Sequence, residues 1–189
     1  LKPDRLLKHI DAIHAVNETM DGITILAGSE VDILPDGTLD YDDELLAKLD
    51  ILVASPHAAL SQSTEDATKR LLAAIEHPLV HIIGHPTGRI INKRKGLEPD
   101  MTTLIAAAVE HNTALEINAN SYRLDLRDIH IRAAAEAGAM LSMNTDSHRP
   151  EDFEQLRYGI LTARRGWLEA SSCINCMEHD VLQTWLASN

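Results

Sequence analysis

Short apolar runs alternate along the chain with longer stretches in which apolar residues recur every three or four positions. The runs occupy residues 23–29, 51–56, 79–84, 113–117 and 139–144, each the length of a buried strand. Between them the pattern turns helical. Residues 5–19 place Leu6, Ile10, Ile13 and Val16 on one stripe, which Asp21-Gly22 stops. Residues 42–48 suit a short helix. Ser63-Thr64-Glu65-Asp66 opens a longer one with Ala67, Leu71 and Ile75 on its apolar face, and His77-Pro78 ends it because a residue before proline avoids helical angles. Further helices are predicted over 101–111, over 129–137 with Gly138 as the stop, and over 151–165 with Gly166 as the stop.

Alternating strands and helices predict an α/β fold of parallel strands with right-handed crossovers. In such folds ligands gather at the carboxyl ends of the strands. Each run here leads into a polar residue at that end: Glu30, His57, His85, Asn118 and Asp146. These residues are 27, 28, 33 and 28 positions apart, about one β-α unit each. A barrel brings such ends onto one rim. The last of them opens the triplet Asp146-Ser147-His148, two good metal ligands one residue apart just before Pro150.

Convergence of Glu30, His57, His85, Asp146 and His148 on one rim makes a metal-ligand set of nitrogen and oxygen donors without thiolate. Such donors suit zinc, manganese or iron rather than calcium. A glutamate can bridge two ions, and a cluster of ions favours phosphoryl chemistry. Arg89 follows His85 closely enough to reach a bound phosphate, with a rim salt bridge as the competing reading. Asn118, Asn120 and Arg123 orient substrate or cap a loop. Lys93-Arg94-Lys95 is a basic run in a loop, either a solvated surface or a guide for a nucleic-acid backbone. His81 faces the same side of its strand as His85 but lies before the strand end, which favours packing or hydrogen bonding over ligation. His9, His14, His77, His111, His130 and His179 fall in helical or helix-end stretches and read as surface residues.

Composition narrows the class. With 189 residues, 44% of them apolar, the chain suits one domain. Its formal charge of −12 is the wrong sign for holding nucleic acid by a broad basic surface. No apolar run is long enough for a membrane span and no signal peptide opens the chain, so a cytoplasmic location without membrane partners is expected. Cys173 and Cys176 are too few for a disulfide framework, and without a second ligand pair they read as ordinary residues of a C-terminal helix or tail.

The motifs Gly28-Ser29-Glu30-Val31-Asp32-Ile33, Ser55-Pro56-His57, Ile83-Gly84-His85-Pro86-Thr87-Gly88-Arg89, Leu115-Glu116-Ile117-Asn118-Ala119-Asn120 and Asn144-Thr145-Asp146-Ser147-His148 resemble the later motifs of the polymerase and histidinol phosphatase (PHP) domain. With Thr162-Ala163-Arg164-Arg165-Gly166-Trp167-Leu168, the resemblance is to the PHP domain at the C-terminal end of bacterial family X DNA polymerases. It spans about residues 1–168, leaving 169–189 as a tail of a single PHP-like domain.

The resemblance implies a distorted (β/α)7 barrel with up to three divalent metal ions. In that family pattern Glu30 bridges two ions, His57 and His85 complete one, Asp146 reaches the bridged partner and His148 binds the third. The implied activity is metal-dependent phosphoesterase chemistry on DNA 3′ ends, by hydroxide attack on phosphorus, with Glu30, Asp146 and Arg89 as catalytic residues. Upstream polymerase domains of the same polypeptide are the implied partners.

One departure stands out. The family's opening His-x-His and the ligands that follow it are absent, so the chain is expected to be a partial barrel lacking about the first two β/α units, inactive or impaired alone and exposing a strand edge. Alternatives are a stand-alone phosphatase of a small metabolite such as histidinol phosphate, and a barrel scaffold without catalysis.

Overall fold

A computed structural model describes residues 1–188. Helix α1, Pro3–Asn17, is followed by strand β1, Gly28–Asp32, and the short helix α2, Asp43–Leu46. Three β-α units come next: β2 Ile51–Ser55 with α3 Thr64–Ile75, β3 Ile82–Ile83 with α4 Met101–Glu110, and β4 Ala114–Asn118 with α5 Asp128–Ala137. Strand β5, Leu141–Asn144, leads through a 3-10 segment at Pro150–Gln155 into α6, Leu156–Arg165, and α7, His179–Leu186, closes the chain. The five strands are parallel and lie in sequence order, β1 to β5, as a partial (β/α) barrel requires.

Helix starts follow local chemistry. The side chain of Ser63 accepts from Asp66 N, Asp42 from Leu45 N, and Asp100 from Thr102 N and Thr103 N, each satisfying amides that the first turn leaves free. Gly138 closes α5 at φ 86°, a left-handed conformation that costs glycine least.

The pleat then sorts side chains between two faces. Val31, Leu52, Ala54, Ile83, Leu115, Ile117 and Leu141 are buried against helix residues such as Leu71, Ile75, Leu104, Ile131 and Ala163. Glu30, Val53, Ile82 and Ala114 share the opposite, inner face, because each is the register partner of the next. Along β4 that face continues through Glu116 to Asn118. It is therefore apolar where strands begin and polar where they end.

The apolar half of the inner face is covered by the last residues of the chain. Trp185 and Leu186 of α7, with Ile174, pack on Ile82 and Ala114, and Leu26, Ile51 and Val53 join them. Trp185 Nε1 donates to Asn112 Oδ1 at 3.0 Å, so the indole is anchored at both its apolar and polar ends. The segment read from sequence as a tail thus packs on the sheet. Asn175 also caps the β5 edge: its Oδ1 accepts from Met143 N at 2.7 Å and its Nδ2 donates to Met143 O at 2.9 Å. An amide side chain there replaces a neighbouring strand's hydrogen bonds.

Three element boundaries differ from those expected. The first apolar run is not strand throughout: pairing begins at Gly28, and Ile23 and Ile25 are exposed, with the Ile25 backbone held by both amide atoms of Asn17. Glu30 therefore lies inside β1 rather than beyond its end. The run at 79–84 pairs only through Ile82 and Ile83. The helix expected over 151–165 is a 3-10 segment until Gln155, its entry shaped by Pro150, whose ring supplies no N–H. No helix among the described residues is long and apolar enough to cross a membrane.

Candidate metal centre

Three adjacent strands deliver one ligand each. Glu30 projects from the inner face of β1, His57 lies two residues past the end of β2, and His85 two past β3. Glu30 Oε1 is 3.0 Å from His85 Nε2 and 3.4 Å from His57 Nε2. The rings of His57 and His85 meet edge to face, their centroids 5.0 Å apart. One ligand atom from each residue lies within 4.8 Å of the others, the spacing at which a single ion binds all three. No ligand of this trio is more than 28 residues from its sequence neighbour, and only the parallel register aligns them.

His57 is oriented from behind. Its Nδ1 is in contact with Asp32 Oδ1, two residues beyond Glu30 on the same strand. A carboxylate at one ring nitrogen fixes the tautomer and turns the other nitrogen to the metal, here toward Glu30. Glu30 is half-exposed, and burial opposes its ionisation. The imidazoles of His57 and His85 and the hydroxyl of Ser55 outweigh that cost and hold it well below the usual carboxylate range. Glu30 in turn is the main reason the His57 imidazole is raised, against partial burial, with Asp32 adding to it.

His85 carries the test of fit. The residue is 1% exposed, and neither ring nitrogen has a hydrogen-bond partner of acceptable geometry, although Nε2 lies so near Glu30. A buried imidazole without partners loses its hydration uncompensated. A cation shared with Glu30 and His57 would satisfy Nε2, the nitrogen that faces Glu30. Three protein ligands, leaving a fourth position to water or substrate, is the number that a catalytic divalent site uses. His85 also has φ 24°, an uncommon backbone for a residue with a Cβ.

That backbone is held by Glu116, whose Oε2 accepts from His85 N at 2.5 Å and from Asn118 Nδ2 at 3.3 Å, while Oε1 accepts from Asn144 Nδ2 at 2.9 Å. Glu116 is buried, and burial pushes its carboxyl up to about 7, partly countered by His85 and by the hydrogen bonds it accepts. Asp125, likewise buried and raised by burial, accepts from the amide and hydroxyl of Thr87 at 3.0 and 2.8 Å. Together they clamp both sides of the turn carrying His85. Gly84 is fixed by the same crowding: a Cβ there would sit 2.2 Å from Ser55 Oγ.

The remaining expected residues lie around this trio. Asp146 borders a cavity of about 210 Å3 that also contains Glu30, Glu116, Asn118 and Asn144. Its Oδ2 is 3.3 Å from both Arg123 Nε and Asn118 Nδ2, and its φ is 54°. Among the described residues it is not part of the tight ligand group, and neither is His148. The side chain of His148 is 84% exposed, with Nδ1 3.8 Å from Asp146 Oδ1. Arg89 donates from Nε to Arg123 O at 2.8 Å and from Nη2 to Leu124 O, bracing the loop beyond β4. His81 is hydrogen-bonded on both ring nitrogens, to Leu52 N and Leu186 O. Cys173 is buried and Cys176 exposed, both as free thiols outside the ligand group.

Asp32, Glu116 and Asp125 entered as site residues only with the structure. Asp32 and Glu116 had a usable signal, since each stands two positions from a residue already singled out on the same strand face. Asp125 had none, because only loop geometry carries it beneath Thr87.

No protein-family model matches the chain. A DNA polymerase/3′-5′ exonuclease of Bacillus subtilis is 43% identical over all 189 residues, which span 33% of that protein. A probable phosphatase of Caldanaerobacter subterraneus is 32% identical over 146 residues, 72% of this chain and 55% of the relative. A probable phosphatase of a Shewanella species is 32% identical over 149 residues, 74% of this chain and 57% of the relative. The chain thus spans a third to somewhat over half the length of these relatives.

Proposed function

We propose that the chain, related over its full length to part of the Bacillus polymerase/exonuclease, is a PHP-type domain that carries metal-dependent phosphoesterase activity on DNA 3′ ends. The observation that carries this reading is the Glu30, His57, His85 cluster, whose Glu30 also borders the cavity lined by Asp146, Asn118 and Asn144. A divalent ion bound there supplies Lewis acidity, making water a nucleophile at neutral pH and offsetting charge on phosphate oxygens.

The protein's own residues do the rest. Glu30 enters ionised and places its charge between two imidazoles. Asp32 keeps His57 Nε2 turned inward, and Glu116 keeps the His85 turn in place. In this reading Asp146 and His148 serve further ions, completed by ligands from upstream sequence. Arg89 is assigned to the substrate phosphate through the guanidinium N–H groups that the two loop carbonyls leave unused. Upstream polymerase domains in the same polypeptide and a cytoplasmic location belong to the same proposal. They rest on the relative's name and on the 33% of its length that the chain spans.

The phosphatase relatives favour a second substrate class, a small phosphomonoester. One assay separates the two. The intact gene product, supplied with Mn2+ or Zn2+, is offered p-nitrophenyl phosphate, a 3′-phosphorylated DNA strand and a 3′-hydroxyl strand. Turnover of either DNA strand, abolished by Glu30→Gln, supports the DNA reading. Turnover of the small ester alone moves the assignment to small substrates. Absence of both turnover and bound metal removes the phosphoesterase reading.

A further inference from the structure

The chain is strongly acidic overall, yet one depression of about 440 Å3 is bordered by five cations, Arg89, Lys93, Arg94, Lys95 and Arg127, and by no carboxylate. Among the described residues no acidic side chain pairs with Lys93, Arg94 or Arg127, while Lys95 Nζ contacts Glu98 Oε2 at 2.6 Å. Crowding of like charge costs stability unless an anion is shared among them. Burial lowers the Arg89 guanidinium, with Asp125 and Asp128 opposing this and Arg127 adding to it, and Arg94 is lowered by burial and then by Arg123.

Arg94 and the loop that carries Lys93 and Lys95 are held rather than loose. Arg94 Nε donates to Gly88 O at 2.9 Å, and the backbone of 90–94 closes on itself through Ile90 N to Arg94 O and Arg94 N to Ile90 O. Ile91 N donates to Tyr122 O at 2.7 Å, tying the loop beyond β3 to the loop beyond β4. Tyr122 is 65% exposed at that junction, with Lys93 Nζ 5.9 Å from its ring centroid. An exposed aromatic face next to a row of cations suits a chain of alternating phosphates and bases. The row also connects to the metal centre. Its first cation, Arg89, stands four residues after His85 and grips the carbonyl of Arg123, whose Nε lies 3.3 Å from Asp146 Oδ2.

We propose that the loops beyond β3 and β4 form a track for single-stranded nucleic acid, its phosphates along Lys93, Arg94, Lys95 and Arg127 and one base stacked on Tyr122. The track leads the strand end toward Glu30, His57 and His85. A duplex presents no unstacked base to Tyr122, so the surface selects single strands. This rests on the phosphoesterase reading for its purpose but not for its test, since binding is measured with EDTA present.

The test uses the 189-residue chain and a fluorescein-labelled twelve-residue oligothymidylate, followed by anisotropy across a salt series. Wild-type protein is expected to bind with a negative slope of log K against log salt. Lys93→Ala and Arg127→Ala should each weaken binding and reduce that slope by about 0.7, the share of one phosphate contact on a single strand. Tyr122→Ala should weaken it by about fivefold or more at unchanged slope. Tyr122→Phe should bind like wild type. Circular dichroism verifies that each variant is folded. Absence of wild-type binding, or equal binding by the three disruptive variants, overturns the proposal. So does equal affinity for the duplex, or competition by polyphosphate with no effect of Tyr122→Ala, which would make the surface a general polyanion site. None of these outcomes touches the phosphoesterase reading, which stands or falls on turnover.

Discussion

Asp32 Oδ1 contacts Nδ1 of His57, and the same imidazole presents Nε2 to Glu30 Oε1 at 3.4 Å. Asp32 and Glu30 stand two residues apart on β1, so a single strand face supplies both the ligand and the group that aims its partner. Replacing Asp32 by Asn exchanges a charged acceptor for a neutral amide and lets the ring turn. Metal affinity is expected to fall about 10- to 100-fold with the fold intact. Titration calorimetry with Zn2+ or Mn2+ measures this, and an unchanged affinity would place the orientation of His57 elsewhere.

Glu116 accepts hydrogen bonds from the His85 amide, Asn118 and Asn144 in a buried setting. Glu116→Ala strands these donors, each worth about 1–3 kcal/mol when left unsatisfied. A loss of several kcal/mol by urea denaturation is expected. Glu116→Gln returns an acceptor oxygen to His85 N and should recover most of it. Equal losses in the two variants would show that the acceptor is not what matters.

His81 sets a pH dependence. Leu52 N donates to its Nδ1 at 3.1 Å, so the ring must carry its proton on Nε2 and donate to Leu186 O at 3.1 Å. Protonating Nδ1 would set two donors against each other. Burial lowers the imidazole below 6.5, the Leu186 carbonyl opposing this in part, and Asp50 is the charged group sharing its surface depression. Between the lowered folded value and the unfolded 6.5 the unfolded chain binds the extra proton. Stability is therefore complete above 6.5 and declines as pH falls through the folded value. His81→Asn keeps an acceptor but does not titrate, so its urea midpoint should fall less between pH 7.5 and pH 5.5 than the wild-type midpoint.

Trp185 tests whether the final helix belongs to the folded unit. It is 7% exposed, packed on Ile82 and Ala114 and hydrogen-bonded to Asn112. Trp185→Ala should cost about 3–5 kcal/mol of unfolding free energy, the usual penalty for emptying a buried aromatic site. A cost below about 1 kcal/mol, the range of ordinary surface changes, would mean that α7 does not close the inner face.

Much of the scaffold was legible because hydrophobic period is a local property. The stretches around Leu71, Leu104 and Ile131 announced helices, and the runs around Leu52, Leu115 and Leu141 announced strands, since burial of one face dictates the spacing. Chain ends of elements were less legible. Ile23 and Ile25 look like strand residues, but pairing with β2 starts only at Gly28, and no local signal encodes that register. Pro150 was visible, while its 3-10 consequence depended on the path from Asp146 into α6.

The order of elements, the parallel sheet and the polar residues at strand ends, Glu30 within β1 apart, were determined by sequence alone, because they follow from periodicity and from the crossover rule. Which of those residues meet was decided by tertiary structure. Register set Glu30 beside His57 and His85, a left-handed turn and an exposed side chain set His148 apart from them, and burial turned Glu116 and Asp125 into supports of the His85 turn. Distances between side chains from different strands depend on pairing, twist and packing of the whole sheet, and no short stretch of chain contains that information.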